Sequence, residues 1–211
     1  LTNKGKKQER INEMSKTVNA KVIRLLKDGS EDIKAELRLL IQSALVLKGC
    51  KQSNMFFVRD EELLILADLA VRTQLRLALL YSQRGRHLVF IYRKNELLDY
   101  LNSEEVSTLL REYGYEGERL EGFFSKLRKR MSGFYKRAEL FPHEIGLFLC
   151  YPLCDIKGFV ENGGQNFLFS GYWKVYDDLE ATLKLFADFD RARERAVSEW
   201  LAGRTLYEIA A

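Results

Sequence analysis

Proline, histidine and cysteine are all scarce in this chain of 211 residues, which holds two prolines, two histidines and three cysteines. With so few prolines there is no proline-rich linker, and no internal repeat or low-complexity segment divides the chain. An odd number of cysteines in a long chain is a poor basis for a disulfide framework and favours a reducing compartment. We therefore predict a cytoplasmic protein.

Long apolar runs and a strong excess of one charge are missing as well. No stretch of about eighteen apolar residues is present for a membrane span, and the opening residues LTNKGKKQER lack the apolar core of a secretory signal. The 34 Lys and Arg against 30 Asp and Glu leave a formal charge of +4. Because that charge is too small to require a nucleic acid or a membrane as partner, we expect no membrane association.

Apolar residues, by contrast, are abundant, and 46% of the chain is hydrophobic, enough for a substantial core. Their spacing of three and four residues predicts an N-terminal helical hairpin. Its first helix covers about residues 9–27 and ends at Gly29, and Ser30 is the N-cap of the second. We predict a basic helical extension over residues 1–34 and a single domain over residues 35–211.

Strand signals are fewer. Residues 74–82 and 87–93 are rich in branched and aromatic side chains, and the segment between them contains Gly85, so they predict a hairpin. A second strand or hairpin is predicted over residues 167–176, with Gly171 at a bend. Further helices are predicted over residues 60–71, 95–101, 103–113, 118–131 and 178–201. The predicted fold class is α+β, mainly helical, with helices packed on a small antiparallel sheet.

Residues 141–176 concentrate the unusual residue types. They include both prolines, His143, Cys150, Cys154 and Trp173. An imidazole beside a carboxylate, as in His143 and Glu144, suggests acid–base chemistry, although neighbours on a helix point about 100° apart. If Pro142 lies in the first turn of a helix, Glu144 instead caps the N-terminus of that helix. Both interpretations stay open.

The same segment offers sulfur ligands for a metal. Cys150 and Cys154 with His143 have a spacing that suits zinc or iron on one helical face. Pro152 between the cysteines weakens that geometry, and a fourth protein ligand is not evident. Since free cysteine is commonly a buried core residue, we predict no metal site.

Residues 142–162 also match the packing half of a helix-turn-helix motif. The second helix would present Asp155 and Glu161 to the DNA backbone. Carboxylates facing phosphates oppose the electrostatic attraction that carries affinity, so DNA binding through this motif is not favoured.

Residues 126–137 form the most basic stretch. Its cations are Lys126, Arg128, Lys129, Arg130, Lys136 and Arg137. They surround Phe134 and Tyr135, a pattern that can hold phosphates and stack on bases. A solvated helix face explains the same pattern, and contact with an anion or a nucleic acid is the alternative.

The aromatic residues Tyr172, Trp173 and Tyr176 could stack on a flat cofactor such as a flavin or a porphyrin. Aromatic residues in a strand are more often part of a core, and their polar tips then need hydrogen-bond partners. The cofactor, if there is one, is not identified by the sequence.

The segments FPHEIGLFLCYPLCDIKGFVEN and GYWKVYDD resemble the signature of a bacterial family named domain of unknown function 3793, which reads close to FPHEIGxFLGYPLEDVxGFIEN and GYWKVYGD. The resemblance extends to VFIYRKNELLDYL, REYGY and, more weakly, KGCKQSNMFF, over about residues 35–205. It implies no activity. Cys150 and Cys154 stand where the pattern has Gly and Glu, which argues against a metal site common to the family. Residues that match the pattern are His143, Glu144, Asn162, Tyr172, Trp173, Lys174 and, in the weaker segment, Lys51.

Taken together, these features favour a small-molecule-binding or regulatory module whose cleft lies near His143 and Trp173 and takes a small anionic or aromatic ligand. The candidate ligand-binding residues are His143, Glu144, Tyr172, Trp173, Lys174 and Lys51. One alternative is an enzyme that uses His143 as general acid or base, with Glu144, Lys174 or Lys51 orienting the substrate. A second alternative is nucleic-acid binding through the basic stretch at residues 126–137.

Overall fold

The α+β prediction is confirmed by the computed structural model, which describes residues 15–117 and 119–210. In the described part of the chain, ten helices accompany a three-stranded and a two-stranded antiparallel sheet. The elements in chain order are α1 (Lys16–Asp28), α2 (Glu31–Leu47), β1 (Ser53–Arg59), α3 (Asp60–Arg72), β2 (Leu75–Gln83), β3 (Arg86–Arg93), α4 (Lys94–Leu101), α5 (Glu104–Glu112), α6 (Leu120–Tyr135), α7 (Ile145–Phe148), α8 (Leu153–Glu161), β4 (Phe169–Ser170), β5 (Lys174–Val175), α9 (Leu179–Leu201) and α10 (Leu206–Ile209).

The N-terminal helical hairpin consists of α1 and α2, which pack on each other. Gly29 ends α1, and the Ser30 hydroxyl caps α2 by accepting the backbone N–H of Ile33 at 3.4 Å. The part of the first predicted helix before residue 15, like the start predicted at residue 118 for a later helix, lies outside the described residues. The predicted boundary between residues 34 and 35 falls inside the continuous helix α2, whose apolar side is buried.

The three-stranded sheet has the order β1-β3-β2, with every pair antiparallel. The predicted β2–β3 hairpin reverses at Arg84 and Gly85, whose φ values of 49° and 71° give the turn that matches the twist of a hairpin. A bulge between Leu79 and Tyr81 interrupts the register of β2, which is an edge strand.

The sheet separates two hydrophobic cores, because alternate residues of the central strand β3 point to opposite faces. Phe90 packs in the core that contains Phe148 of α7 and the apolar side of α6. Its neighbour Val89 packs in the core that contains Leu40 of α2 and the apolar sides of α3 and α9. Residues 88–92 of β3 are therefore buried on both faces of the sheet.

The predicted strand or hairpin at residues 167–176 is the hairpin β4–β5, which packs on α9. Trp173 and Val175 form a third, small core with Phe186 and its neighbours on α9. Gly171 lies between the two strands, as predicted. A Cβ atom there would lie 2.4 Å from Cε2 of Phe186, so glycine permits the close approach of the hairpin to α9.

The helix that the capping interpretation of Glu144 places at Pro142 is not present there. The short helix α7 begins only at Ile145 and ends at Phe148. Its end is a Schellman turn, in which the N–H of Tyr151 donates to the carbonyl of Gly146 and Cys150 takes a left-handed φ of 54°. The chain therefore turns before α8 begins.

Within residues 15–117 and 119–210, no helix is both long and apolar enough to cross a membrane. All three cysteines are unpaired, with Cys150 half-buried and Cys50 and Cys154 exposed.

Candidate functional site

A cavity of about 210 Å³ opens beside α7 and α8 and is closed on another side by the β4–β5 hairpin. Its lining is mainly aromatic and aliphatic. The lining residues are Phe141, His143, Ile145, Gly146, Tyr151, Asp155, Ile156, Phe159, Trp173 and Lys174. Of the six predicted ligand-binding residues, the fold thus brings His143, Trp173 and Lys174 together around one cavity.

Local sequence explains how α7 and α8 approach closely enough to share this cavity. A Cβ atom at Gly146 would lie 3.0 Å from Cγ1 of Ile156, so a larger residue on α7 would push α8 away. On α8, Asp155, Ile156 and Phe159 follow one another at steps of one and three residues. Phe159 thus lies three residues after Ile156 and four after Asp155, and these two spacings place side chains on one helical face, which here faces the cavity.

The carboxylate of Asp155 fastens the β4–β5 hairpin to α8. One oxygen, Oδ2, accepts the indole Nε1–H of Trp173 at 2.7 Å. The other, Oδ1, accepts the backbone N–H groups of Tyr176 at 2.6 Å and Asp177 at 3.2 Å. Because Asp155 is only 3% exposed and both of its oxygens have donors, its role in the cavity wall is to hold the indole in place.

The imidazole of His143 lies at the exposed side of the cavity, between two aromatic rings. Its ring centroid is 5.6 Å from that of Phe141 and 5.3 Å from that of Phe159. In the described part of the chain it has no hydrogen-bond partner, so both ring nitrogens are available to a ligand.

The ammonium group of Lys174 provides a fixed cation at the same cavity. Its Nζ donates to the carbonyl of Gly164 at 2.7 Å. It also lies 5.5 Å from the ring centroid of Phe159 and 4.9 Å from that of Phe167, both within the range of cation–π attraction. Since an ammonium group carries three N–H donors, two remain for a ligand.

Glu144 points away from His143, although the two residues are adjacent in sequence. Its buried carboxylate accepts the Tyr115 hydroxyl at 2.9 Å and pairs with Nε of Arg130 at 2.8 Å. Burial, followed by the nearby Glu144 charge, raises the pKa of Tyr115. The predicted capping role of Glu144 is therefore wrong, because its side chain bonds to α6 and the Tyr115 loop rather than to helix N–H groups. Glu144 does not line the cavity.

Two other predicted ligand-binding residues also lie away from the cavity. Tyr172 packs on α9, where its hydroxyl donates to Asp190 at 2.9 Å. Lys51 is 7% exposed, and its Nζ lies 5.0 Å from the ring centroid of Tyr151, a residue of the cavity wall. Burial lowers the pKa of Lys51 to about 8, against an opposing influence of Cys150. Burial likewise raises the pKa of the Cys150 thiol to about 12.

The six cations of the basic stretch divide into two groups. Three bind other parts of the protein: Lys126 donates to the carbonyl of Gly114, Arg128 donates to that of Leu79, and Arg130 pairs with Glu144. The other three, Lys129, Lys136 and Arg137, are exposed and make no contact of this kind within the described residues.

No group of three or more His, Cys, Asp and Glu side chains in residues 15–117 and 119–210 is arranged to hold a metal ion.

Comparison with known proteins identifies the family. A family model described as Protein of unknown function (DUF3793) matches residues 39–210. The chain belongs to this family. The matched region contains every residue that lines the cavity and leaves α1 and the first half of α2 outside. No curated protein and no solved structure matches the chain.

In this member of the DUF3793 family, sequence reasoning missed several cavity residues, above all Tyr151, Asp155 and Phe159. The spacing of Asp155, Ile156 and Phe159 was a usable signal, because it marks one face of α8. The direction of Tyr151 had no such signal, since this residue lies in the turn between α7 and α8.

Proposed function

We propose that the protein is a small-molecule-binding module of the bacterial cytoplasm whose ligand is a one- or two-ring aromatic anion. The observation that carries this proposal is the meeting of an aromatic cavity with His143 and Lys174, two groups that have hydrogen-bond donors to spare. The three unpaired cysteines are consistent with a reducing compartment.

The size of the cavity supports the small ligand. An apolar cavity of about 150 Å³ holds benzene, so the 210 Å³ here suits one or two fused rings. A flavin or a porphyrin, considered above as a stacking partner for the aromatic residues, would extend far beyond this volume. The flat rings of Tyr151 and Trp173, with centroids 5.0 Å apart, favour a planar ligand.

The polar groups of the cavity support the negative charge. Both oxygens of Asp155 already accept N–H groups of the protein, and the residue is only 3% exposed. Lys174 is a cation, and His143 can donate or accept. A carboxylate on the ligand would therefore find donors at this cavity, whereas an ammonium group would meet Lys174 unfavourably.

Affinity should be modest. At about −0.5 kcal/mol per non-hydrogen atom, a ligand of ten to twelve such atoms binds with about −5 to −6 kcal/mol, so Kd is on the order of 0.1 mM. At a ligand concentration of about 100 times Kd, binding stabilises the folded protein by about 2.7 kcal/mol and raises Tm by roughly 5–10 °C.

The test is a thermal-shift series with indole-3-carboxylate and benzoate as aromatic anions, benzamide as an uncharged ring and cyclohexanecarboxylate as a non-aromatic anion. We expect only the aromatic anions to raise Tm. Lys174→Met should weaken their binding about tenfold and His143→Ala severalfold. Lys157→Met, on the exposed side of α8, is the matched control and should bind normally. Equal shifts for benzamide and benzoate, or normal binding by Lys174→Met, would contradict the proposal.

Catalysis with His143 as general acid or base is the alternative for the same cavity, but it has less support. Of the residues expected to orient a substrate, only Lys174 lines the cavity. Glu144 is engaged by Tyr115 and Arg130, and Lys51 lies behind Tyr151. An uncommitted His143 thus favours ligand binding over acid–base chemistry.

Nucleic-acid binding through the basic stretch has less support still, because three of its six cations bind other parts of the protein. The helix-turn-helix interpretation is weakened for a separate reason. Its first helix, α7, has four residues, and Asp155, which was expected to be presented by the second helix, is buried.

A further inference from the structure

A serine, a histidine and an aspartate are linked by two successive hydrogen bonds at the end of the three-stranded sheet where β2 turns into β3. They are distant in sequence from the residues of the cavity. The Ser82 hydroxyl lies 2.9 Å from Nδ1 of His87, and Nε2 of His87 lies 2.7 Å from Oδ1 of Asp60. We propose that these three residues form a nucleophilic serine site that hydrolyses carboxylic esters.

The fold specifies this arrangement through strand register. Ser82 of β2 and His87 of β3 are directly paired across the hairpin, so their side chains share one face of the sheet. On the other side of β3, His87 pairs with Val58 of β1. The next element of the chain, α3, begins at Asp60, which brings its carboxylate to the imidazole.

The chemistry follows from one tautomer of the imidazole. With the ring proton on Nε2, that N–H donates to Asp60, and the lone pair on Nδ1 accepts the hydroxyl proton of Ser82. The aspartate holds the ring in the orientation and tautomer that make it a general base toward the serine. This division of roles defines a triad by geometry rather than by sequence position.

The exposure of the three side chains permits access by a substrate. Ser82 lies at the surface, while the His87 side chain is 15% exposed and the Asp60 side chain 76%. An open groove of about 660 Å³ runs along β2 and is lined in part by Ser82.

The proposed reaction has two balanced steps. In the first, Oγ of Ser82 bonds to the ester carbonyl carbon while its proton passes to Nδ1 of His87, which then protonates the departing alcohol. In the second, water attacks the acyl-serine, gives a proton to His87 and releases the carboxylic acid as Ser82 regains its proton. The net change is ester plus water to acid plus alcohol.

The developing oxyanion needs hydrogen-bond donors. The donors nearest along the chain are the backbone N–H groups of Arg84 and Gly85, which have no backbone acceptor among the described residues. Because a fully built oxyanion site contributes about 10²–10³ in rate, we expect slow turnover that is best detected with activated acyl donors.

The experiment treats the full chain with a fluorophosphonate probe, whose P–F bond is broken by an activated serine hydroxyl as fluoride leaves. Labelling at Ser82 is followed by peptide mass spectrometry, and p-nitrophenyl acetate hydrolysis provides the second measurement. We expect Ser82→Ala to abolish the label, His87→Gln to reduce its rate by about 10²-fold and Asp60→Asn by about tenfold. Ser125→Ala, an exposed serine on α6, is the matched control and should label at the wild-type rate.

Circular dichroism must show that each variant is folded. If His87→Gln does not fold, Asp60→Asn still tests the proposal, because Asp60 is exposed and its replacement should not disturb the fold. The proposal is overturned if Ser82 in the wild type labels no faster than Ser125, or if folded Asp60→Asn and His87→Gln both label at the wild-type rate. In either case the three residues only hold the start of α3 against the β2–β3 hairpin. Neither result bears on the aromatic cavity, which is tested separately.

Discussion

Trp173 donates its indole N–H to Asp155 across 2.7 Å, and this bond joins two elements that carry opposite walls of the cavity. Both residues are buried, with Trp173 9% and Asp155 3% exposed. The same indole packs on the Tyr151 ring at an interplanar angle of 30° and meets Phe186 of α9 edge to face. The shape of the cavity therefore depends on a buried polar contact as well as on aromatic packing.

Replacing this indole should cost stability beyond its area. Trp173→Phe leaves one buried Asp155 oxygen without its donor, which alone costs about 1–3 kcal/mol in the free energy of unfolding. Trp200→Phe is the control, because Trp200 packs at the edge of another core and has no carboxylate partner in the described part of the chain. Urea unfolding should show the larger loss for Trp173→Phe, and equal losses for the two variants would contradict a structural role for the Asp155 bond.

Glu144 should behave as a buried structural anion. Glu144→Gln keeps an acceptor for Tyr115 but removes the negative partner of Arg130. Breaking a fully buried pair costs about 3–5 kcal/mol, and because the Arg130 side chain is 31% exposed we expect about 2–3 kcal/mol. Lys129→Met, at an exposed position of the same helix, should change the free energy of unfolding by less than about 0.5 kcal/mol. A loss of that small size for Glu144→Gln would show that the pair contributes little.

Lys51 should make stability depend on pH in the alkaline range. Its pKa is lowered from 10.5 to about 8 by burial, so between these values the unfolded chain binds more protons than the folded protein. The free energy of unfolding contributed by Lys51 therefore rises with pH from about 8 to 10.5, and below pH 8 its burial as a cation is a constant cost of about 3 kcal/mol.

The measurement compares Lys51→Met with the wild type by urea unfolding at pH 7, 8, 9 and 9.5. We expect the variant to be the more stable protein at pH 7 and its advantage to shrink as the pH rises above 8. Lys157→Met, which removes an exposed amine, should show no such trend. A difference that stays constant from pH 7 to 9.5 would mean that Lys51 titrates normally.

Cys150 has a backbone conformation that favours glycine. Its φ of 54° is left-handed, which costs a residue with a Cβ atom about 1–2 kcal/mol. Both Cys150→Gly and Cys150→Ala remove the thiol, but only glycine also relieves this strain. We expect Cys150→Gly to exceed Cys150→Ala in free energy of unfolding by about 1 kcal/mol, as measured by thermal or urea unfolding. The opposite order would mean that the Cβ atom packs well enough to offset the strain.

Most helices and strands of the fold follow from local sequence, whereas the backbone conformation around Pro142 does not. Apolar spacing predicted α2, α3 and α9, and Gly85 predicted the β2–β3 turn, because periodicity and turn chemistry depend on residues a few positions apart. A helix does not form at Pro142, and the reason is physical. Its first residues instead form a turn whose Glu144 is drawn toward α6 by a cation and a hydroxyl distant in sequence.

The candidate sites show the same division. Their scarce residue types marked His143 and Trp173, the family pattern added Lys174, and these three do line one cavity. Glu144 and Lys51 have equally suggestive types but lie elsewhere. Ser82 and His87 carry no such signal, because each residue by itself is typical of a strand end, and only the register of the hairpin makes them neighbours.

By itself the amino-acid sequence determined the class of fold, the positions of most helices and strands, and the resemblance to a family, since these depend on patterns within short stretches of chain. Tertiary structure alone decided which side chains meet. The direction of a side chain such as Glu144 depends on burial and on partners 14 and 29 residues away, and the wall of the cavity depends on a bond between Trp173 and Asp155 that neither local stretch contains.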